Sequence, residues 1–142
     1  MDRWVVFALV SMVFAGFTSV IAKLGLTGIS GELGLTVRTL FVTCFVLAFA
    51  ALSVDRTEVQ LLTWKNLMWL GVSGLTTAAS WVFYYKAIAD PDGQVSTVAL
   101  IDKGSFIVAV LLAWLILGEK ITWRVAAGTG LILAGLLVVS RK

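Results

Sequence analysis

The chain has 142 residues, 60% of them hydrophobic and 13% charged, with a net charge of +3 at pH 7 and a mean hydropathy of +1.01. Soluble domains carry about 25% charged residues, so the composition excludes a water-exposed globule and describes a chain solvated by lipid. The absence of histidine and the single cysteine, Cys44 in an apolar run, exclude a disulfide framework and a cysteine–histidine metal site, and the eleven Lys and Arg residues never form the basic stripe of a nucleic-acid binder.

A hydrocarbon core of about 30 Å takes roughly 20 apolar residues to cross as a helix. Five segments meet that length: 4–22, 35–54, 67–89, 95–117 and 123–140. Backbone polar groups find no water in lipid, so such runs form helices or a closed barrel, and continuous rather than alternating apolarity selects helices. The fold class expected is all-α: one membrane domain over 1–142, a bundle of five transmembrane helices.

The first segment is too long for a signal peptide and lacks a small-residue cleavage site, so it is expected to remain as a helix. Ser11, Ala15 and Ser19 recur along it at four-residue spacing, which permits close helix packing. Lys23 closes it, and a glycine-rich connection over 24–34 follows. Arg38 lies early in the second helix. Residues 55–66 form the most polar connection.

The third helix presents Ser73, Thr77, Ser80 and Tyr84 at i, i+4, i+7 and i+11, one helical face. Trp81 and Tyr85 flank that face and Lys86 follows. Aromatic area with a few orienting hydroxyls and a cation suits a small-molecule pocket; the alternative is ordinary helix–helix hydrogen bonding by Ser and Thr. Asp90-Pro91-Asp92-Gly93 is a strong turn signal, because proline presets one backbone angle and glycine permits the reverse one.

The fourth segment carries Asp102-Lys103 about eight residues in. Its thirteen Leu, Ile, Val and Phe residues favour insertion by about 4–8 kcal/mol, while a central Asp and Lys together cost about 5–7 kcal/mol. The segment must hide these groups from lipid. Neighbours about 100° apart on a helix do not face each other, so each is expected to find a partner on another helix, in a wet cavity or in a second subunit. Intramembrane ionisable groups are functional candidates by default, against the alternative of a network that only fixes register. Asp102 is the candidate coupling site for a proton or cation. Gly118–Thr122 forms a tight link, and Ala126, Gly130 and Ala134 give the last helix a small-residue stripe for scaffold or dimer packing.

Trp4, Trp64, Trp69 and Trp123 fall near helix ends, as in an aromatic belt. Arg3, Arg56, Lys65, Lys120 and Arg124 flank the side of the N-terminus; Lys23, Arg38, Lys86, Arg141 and Lys142 flank the other. Five cations oppose five, so the bias that orients membrane proteins is absent. Either one or two charges lie too deep to count, or the chain inserts both ways and pairs with itself antiparallel. On this topology Trp81, Tyr84, Tyr85, Asp102 and Lys103 share one half of the membrane with Lys23, Arg38 and Lys86. Four cations less one carboxylate leave that half at a net +3. The three cations are gate or vestibule candidates, with snorkelling of Lys23 and Lys86 as the alternative.

Five stretches resemble the EamA-type proteins of the drug/metabolite transporter superfamily, in particular their half-size five-helix members. They are Ala15-Gly16-Phe17-Thr18 through Lys23-Leu24-Gly25, Tyr84-Tyr85-Lys86-Ala87, the pair Val98-Ala99-Leu100-Ile101-Asp102-Lys103-Gly104-Ser105 and Leu117-Gly118-Glu119-Lys120-Ile121-Thr122, and Gly128 to Gly135. The resemblance implies half of an inverted-repeat transporter that moves small metabolites, often outward, by a secondary active mechanism. Leu100 stands where the family commonly has a proline, leaving Gly104 to supply flexibility. The first helix lacks the glutamate of the related small multidrug resistance proteins, so their proton exchange does not carry over.

The reading is a secondary active transporter, in the exporting direction, of small polar or amphipathic metabolites, working as an antiparallel homodimer in a prokaryotic cytoplasmic (inner) membrane. Its expected partners are a small-molecule substrate, membrane lipid and its own second copy, with no nucleic acid and no cofactor. Trp81, Tyr84, Tyr85, Thr77, Ser80, Asp102 and Lys103 are the substrate-site candidates. The alternative is a non-transporting membrane assembly or interaction module. An enzyme is not expected, for want of a nucleophile–base or metal-ligand set. The balanced charge count predicts that a C-terminal cysteine is labelled from both faces of the membrane in cells. Labelling from one face alone contradicts dual insertion.

Overall fold

The computed structural model describes residues 2–140, so Arg141 and Lys142 lie outside the described residues. Regular structure among these is helical: α1 (Arg3–Gly25), α2 (Gly31–Ser53), α3 (Arg56–Val59), α4 (Trp64–Ala89), α5 (Val95–Asp102), α6 (Ser105–Leu117) and α7 (Trp123–Ser140). Four stretches are long and apolar enough to cross a membrane: α1, α2, α5 with α6, and α7. α4 has the length at 26 residues, but it stands outside that set. Its serines, threonines, tyrosines and Lys86 dilute its apolar character. Among the described residues four of the five expected crossings thus have span character, and α4 is a long helix with a polar face.

The chain divides into two compact units, one running through Pro91 and one starting at Asp92. The expected proline–glycine turn is the junction.

In the first unit α2 begins at Gly31, before the expected start at residue 35. Ser30 explains the difference. Its side chain accepts a hydrogen bond from the Leu33 N–H at 3.2 Å, and Glu32 occupies the first turn, where an unpaired N–H group and the helix dipole both favour oxygen. The glycines of the connection divide in role. Gly28, at φ +78°, makes the turn, while Gly31 and Gly34 are helical. Thr63 caps α4 by accepting from the Asn66 N–H at 3.3 Å, and its hydroxyl donates to Asn66 Oδ1 at 2.9 Å.

α2 packs on α4 in antiparallel fashion, with Gly31 against Tyr85 and Ala89. A Cβ at Gly31 would lie 2.8 Å from the Tyr85 carbonyl oxygen and 3.1 Å from Ala89 Cβ. Only glycine permits this approach. The buried apolar side chains gather at the same end: Leu26, Tyr85 and Ile88. Most other large apolar side chains, Phe7, Phe45, Leu52 and Phe83 among them, are exposed. Hydrocarbon solvates them as well as a protein core does, so burial is not required of them.

In the second unit α7 packs on α5 and α6. The expected continuous helix over 95–117 is interrupted after Asp102. Gly104 N–H donates to the Ile101 carbonyl at 2.9 Å, Phe106 N–H to Lys103 at 3.1 Å and Ile107 N–H to Gly104 at 3.0 Å. These i to i+3 bonds are a tight 3₁₀ turn, a common form of hinge inside a helix. A Cβ at Gly104 would lie 3.0 Å from both the Ile101 carbonyl oxygen and Leu136 Cδ2 of α7, so the turn is also a close contact. Gly118, at φ +68°, ends α6. Ala126, Gly130 and Ala134 are exposed, unused by the packing within the unit.

Gly31→Ala is expected to lower unfolding stability by about 1–3 kcal/mol through forced separation of α2 from α4. Gly71→Ala, in open space on α4, should instead stabilise by about 0.5–1 kcal/mol through helix propensity. Equilibrium unfolding in detergent, followed by helical circular dichroism, checks both. Equal effects at the two positions would contradict the close approach.

Candidate functional site

The end of α1, the start of α2 and the end of α4 converge, and each brings a cation. Lys23 is half-buried and its ammonium donates to the Ile88 carbonyl in the last turn of α4. That carbonyl has no partner along its own helix and lies at the negative end of the helix dipole, so Lys23 serves as a capping group for α4. Lys86 lies 3.7 Å from Glu32, with both side chains more than half exposed. Such a pair contributes at most about 1 kcal/mol. Glu32, in the glycine-rich stretch 24–34, brings to this cluster a carboxylate that the expected net +3 does not include.

Arg38 sits differently. Its guanidinium carbon stands 4.3 Å above the Trp81 ring centroid and 5.9 Å from that of Tyr85. A guanidinium over an indole face is attracted by the ring quadrupole. Tyr84 meets Tyr85 edge-on, with centroids 6.4 Å apart at 62°. Arg38 Nη1 and the Tyr84 hydroxyl are both buried without a hydrogen-bond partner.

The α4 ridge towards α2 is thus Ser73, Thr77, Trp81 and Tyr85, spaced four apart. Ser73, Thr77 and Trp81 line a cleft of about 520 Å³ with Leu35 and Thr39 of α2. The Thr77 hydroxyl donates to the Ser73 carbonyl at 2.8 Å, an intrahelical bond. Ser80 is exposed and Tyr84 half-buried. The structure therefore brings Thr77, Trp81 and Tyr85 to the α2–α4 contact and leaves Ser80 at its margin.

A second groove, of about 570 Å³, opens beside it. Phe14, Phe17 and Ile21 of α1 line it with Val37, Arg38 and Phe41 of α2, and Tyr85. The phenylalanines were not singled out in sequence because apolar aromatics on a membrane helix have the same appearance whether they face lipid or a ligand. The i, i+3, i+7 spacing of Phe14, Phe17 and Ile21 is the signal that could have marked them.

Asp102 and Lys103 belong to the second unit. Their side chains are less than half exposed to about half exposed, with Lys103 Nζ 3.9 Å from Asp102 Oδ2. Sequence neighbours were not expected to pair. They do because the helix gives way to the tight turn at this point, and a lysine stem is long enough to fold back. At 3.9 Å the contact is a loose ion pair, and no hydrogen bond joins the two groups.

The family profile of EamA-like transporters matches residues 2–141. The chain belongs to the EamA-like transporter family. A curated relative from Sinorhizobium sp., named "Uncharacterized transporter in cobO 3'region", is 31% identical over 139 residues, covering 98% of this chain and 97% of the relative. No solved structure matches the chain. EamA-like membership and the four apolar spans make this an integral, multi-pass membrane protein.

For this EamA-like chain the cations separate by task. Lys23→Met is expected to cost about 1–2 kcal/mol of stability by leaving a carbonyl at the end of α4 unsatisfied, whereas Lys86→Met should stay within about 0.5 kcal/mol. Thermal unfolding in detergent distinguishes them. A Lys23→Met protein as stable as the parent would remove the capping role.

Proposed function

We propose that the chain is a secondary active transporter that exports small polar or amphipathic metabolites, acting as an antiparallel homodimer in a prokaryotic cytoplasmic (inner) membrane, with α4 as the fifth crossing. The family supports a membrane transporter. The observation that carries the site is the Arg38 guanidinium over Trp81 and Tyr85 beside the hydroxyls of α4. Such a cluster has little purpose in a helix that only contacts lipid. It joins apolar area to a cation and a few polar groups, the composition of a small-molecule site. The five-to-five cation balance supports inverted pairing, in which each copy supplies one half of the pathway. Asp102 and Lys103 are assigned to the substrate path with Trp81, Tyr84, Tyr85, Thr77 and Ser80. Asp102 is the coupling residue, because it is a carboxylate beside a hinge-like turn and its charge can change with a bound proton or cation.

Reconstitution into proteoliposomes with an imposed proton gradient tests this. Trp81→Leu and Tyr84→Leu should insert and dimerise normally yet lower kcat/KM by about tenfold or more, the size of a lost stacking or hydrogen-bond contact. Asp102→Asn should abolish the response to the gradient while retaining exchange. Unaltered kinetics in the aromatic variants, or an unaltered pH dependence in a destabilised Asp102→Asn protein, would reduce these residues to packing.

A further inference from the structure

The first unit has three cations at its convergent end, and two of them are engaged. Lys23 bonds the Ile88 carbonyl and Lys86 pairs with Glu32. Arg38 contacts two aromatic rings instead. A ring uses the face of a guanidinium and leaves its N–H donors, which lie in the plane, directed outward from the edge. Nη1 is buried and unpartnered, so this one nitrogen of a permanent charge has lost water without gaining an acceptor, while Arg38 also lines the groove. An anion beside it would be favoured for the same reason that leaving it alone is costly.

We propose that the groove between α1 and α2 binds an amphipathic monocarboxylate, with its apolar body against Phe14, Phe17 and Phe41 and its carboxylate on the Arg38 guanidinium. This deepens the transport reading above and rests on it in treating the ligand as cargo. The groove's volume of about 570 Å³ falls within the range of small-ligand pockets, roughly 300–1,000 Å³. Its walls are aromatic and aliphatic, which selects an aryl or alkyl body. Two oxygens of a carboxylate match the planar fork of arginine. One cation balances one negative charge, whereas a doubly charged phosphate monoester would leave an excess charge in a low-dielectric setting. Trp81 holds the fork in place from the α4 side, so little ordering is left for the ligand to impose.

The test uses the full chain in phosphatidylcholine nanodiscs, titrated calorimetrically with 4-phenylbutanoate and with 4-phenylbutanamide as its neutral match. The carboxylate should bind about tenfold to a hundredfold more tightly than the amide, the range of a charge-assisted pair. Arg38→Gln should bring the carboxylate to the level of the amide and leave the amide unchanged. Equal binding of both ligands to the parent protein overturns the assignment, as does a folded Arg38→Gln protein that keeps the preference. If Arg38→Gln does not fold, Arg38→Lys decides. A several-fold loss confined to the carboxylate supports the planar fork, and unchanged affinity overturns it. Replacing half the lipid with phosphatidylglycerol should leave the preference intact, and its abolition would assign the site to a lipid headgroup and overturn the proposal. Flux of neutral solutes without any carboxylate preference overturns this inference and leaves transport standing. A preference without flux of any solute supports the site and overturns transport.

Discussion

An arginine two turns into a membrane-spanning helix must be accommodated before anything else can be built around it. Arg38 cannot shed its charge by losing a proton, and it sits in one of the four apolar spans. The structure answers with the faces of Trp81 and Tyr85. That answer imposes conditions on the rest of the unit. α2 must come close enough to α4 for the rings to reach, and Gly31, against the Tyr85 carbonyl, allows it. The end of α4 must also stay helical through Tyr85, and Lys23 supports it by satisfying the Ile88 carbonyl. Three helix ends, one missing side chain and one lysine therefore serve the placement of a single guanidinium.

The second unit handles its charges by a different device. Asp102 and Lys103 sit where α5 gives way to a 3₁₀ turn, loosely paired with each other. A full ion pair with tight hydrogen bonds would hold the turn in one state. On the transport reading proposed above, the loose pair is what leaves the Asp102 carboxylate open to a proton or cation. Inverted-repeat transporters place broken helices and polar groups at their binding sites, and irregular backbone is tolerated in a membrane where it is buried in protein or lines a wet cavity.

The apolar spans were legible because hydrocarbon demands long uniform runs, and α1, α2 and α7 follow that demand. α4 was read as a fifth apolar run, but it stands outside the four apolar spans because its ridge of Ser73, Thr77, Trp81 and Tyr85 is partly polar. Glu32 was hidden because a glycine-rich stretch resembles a loop until Ser30 is recognised as a cap. Spacing alone grouped Ser73, Thr77, Ser80 and Tyr84 on one face of α4, while the side turned to α2 is the neighbouring ridge of Ser73, Thr77, Trp81 and Tyr85. Its partner Arg38 could be placed only in the same half of the membrane, because which face of α2 meets α4 depends on packing at Gly31. The joint after Asp102 was legible only as flexibility at Gly104, not as a break in the helix. No proline marks it, and glycine within an apolar run usually continues a membrane helix.

The central claim is that Arg38 and Trp81 form one interacting unit rather than two neighbouring side chains. A double-mutant cycle measures this directly, using Arg38→Gln, Trp81→Leu and the double variant unfolded at equilibrium in bicelles. The account predicts a coupling free energy of about 0.5–2 kcal/mol, the range of a cation over an indole ring. Strictly additive losses would contradict it.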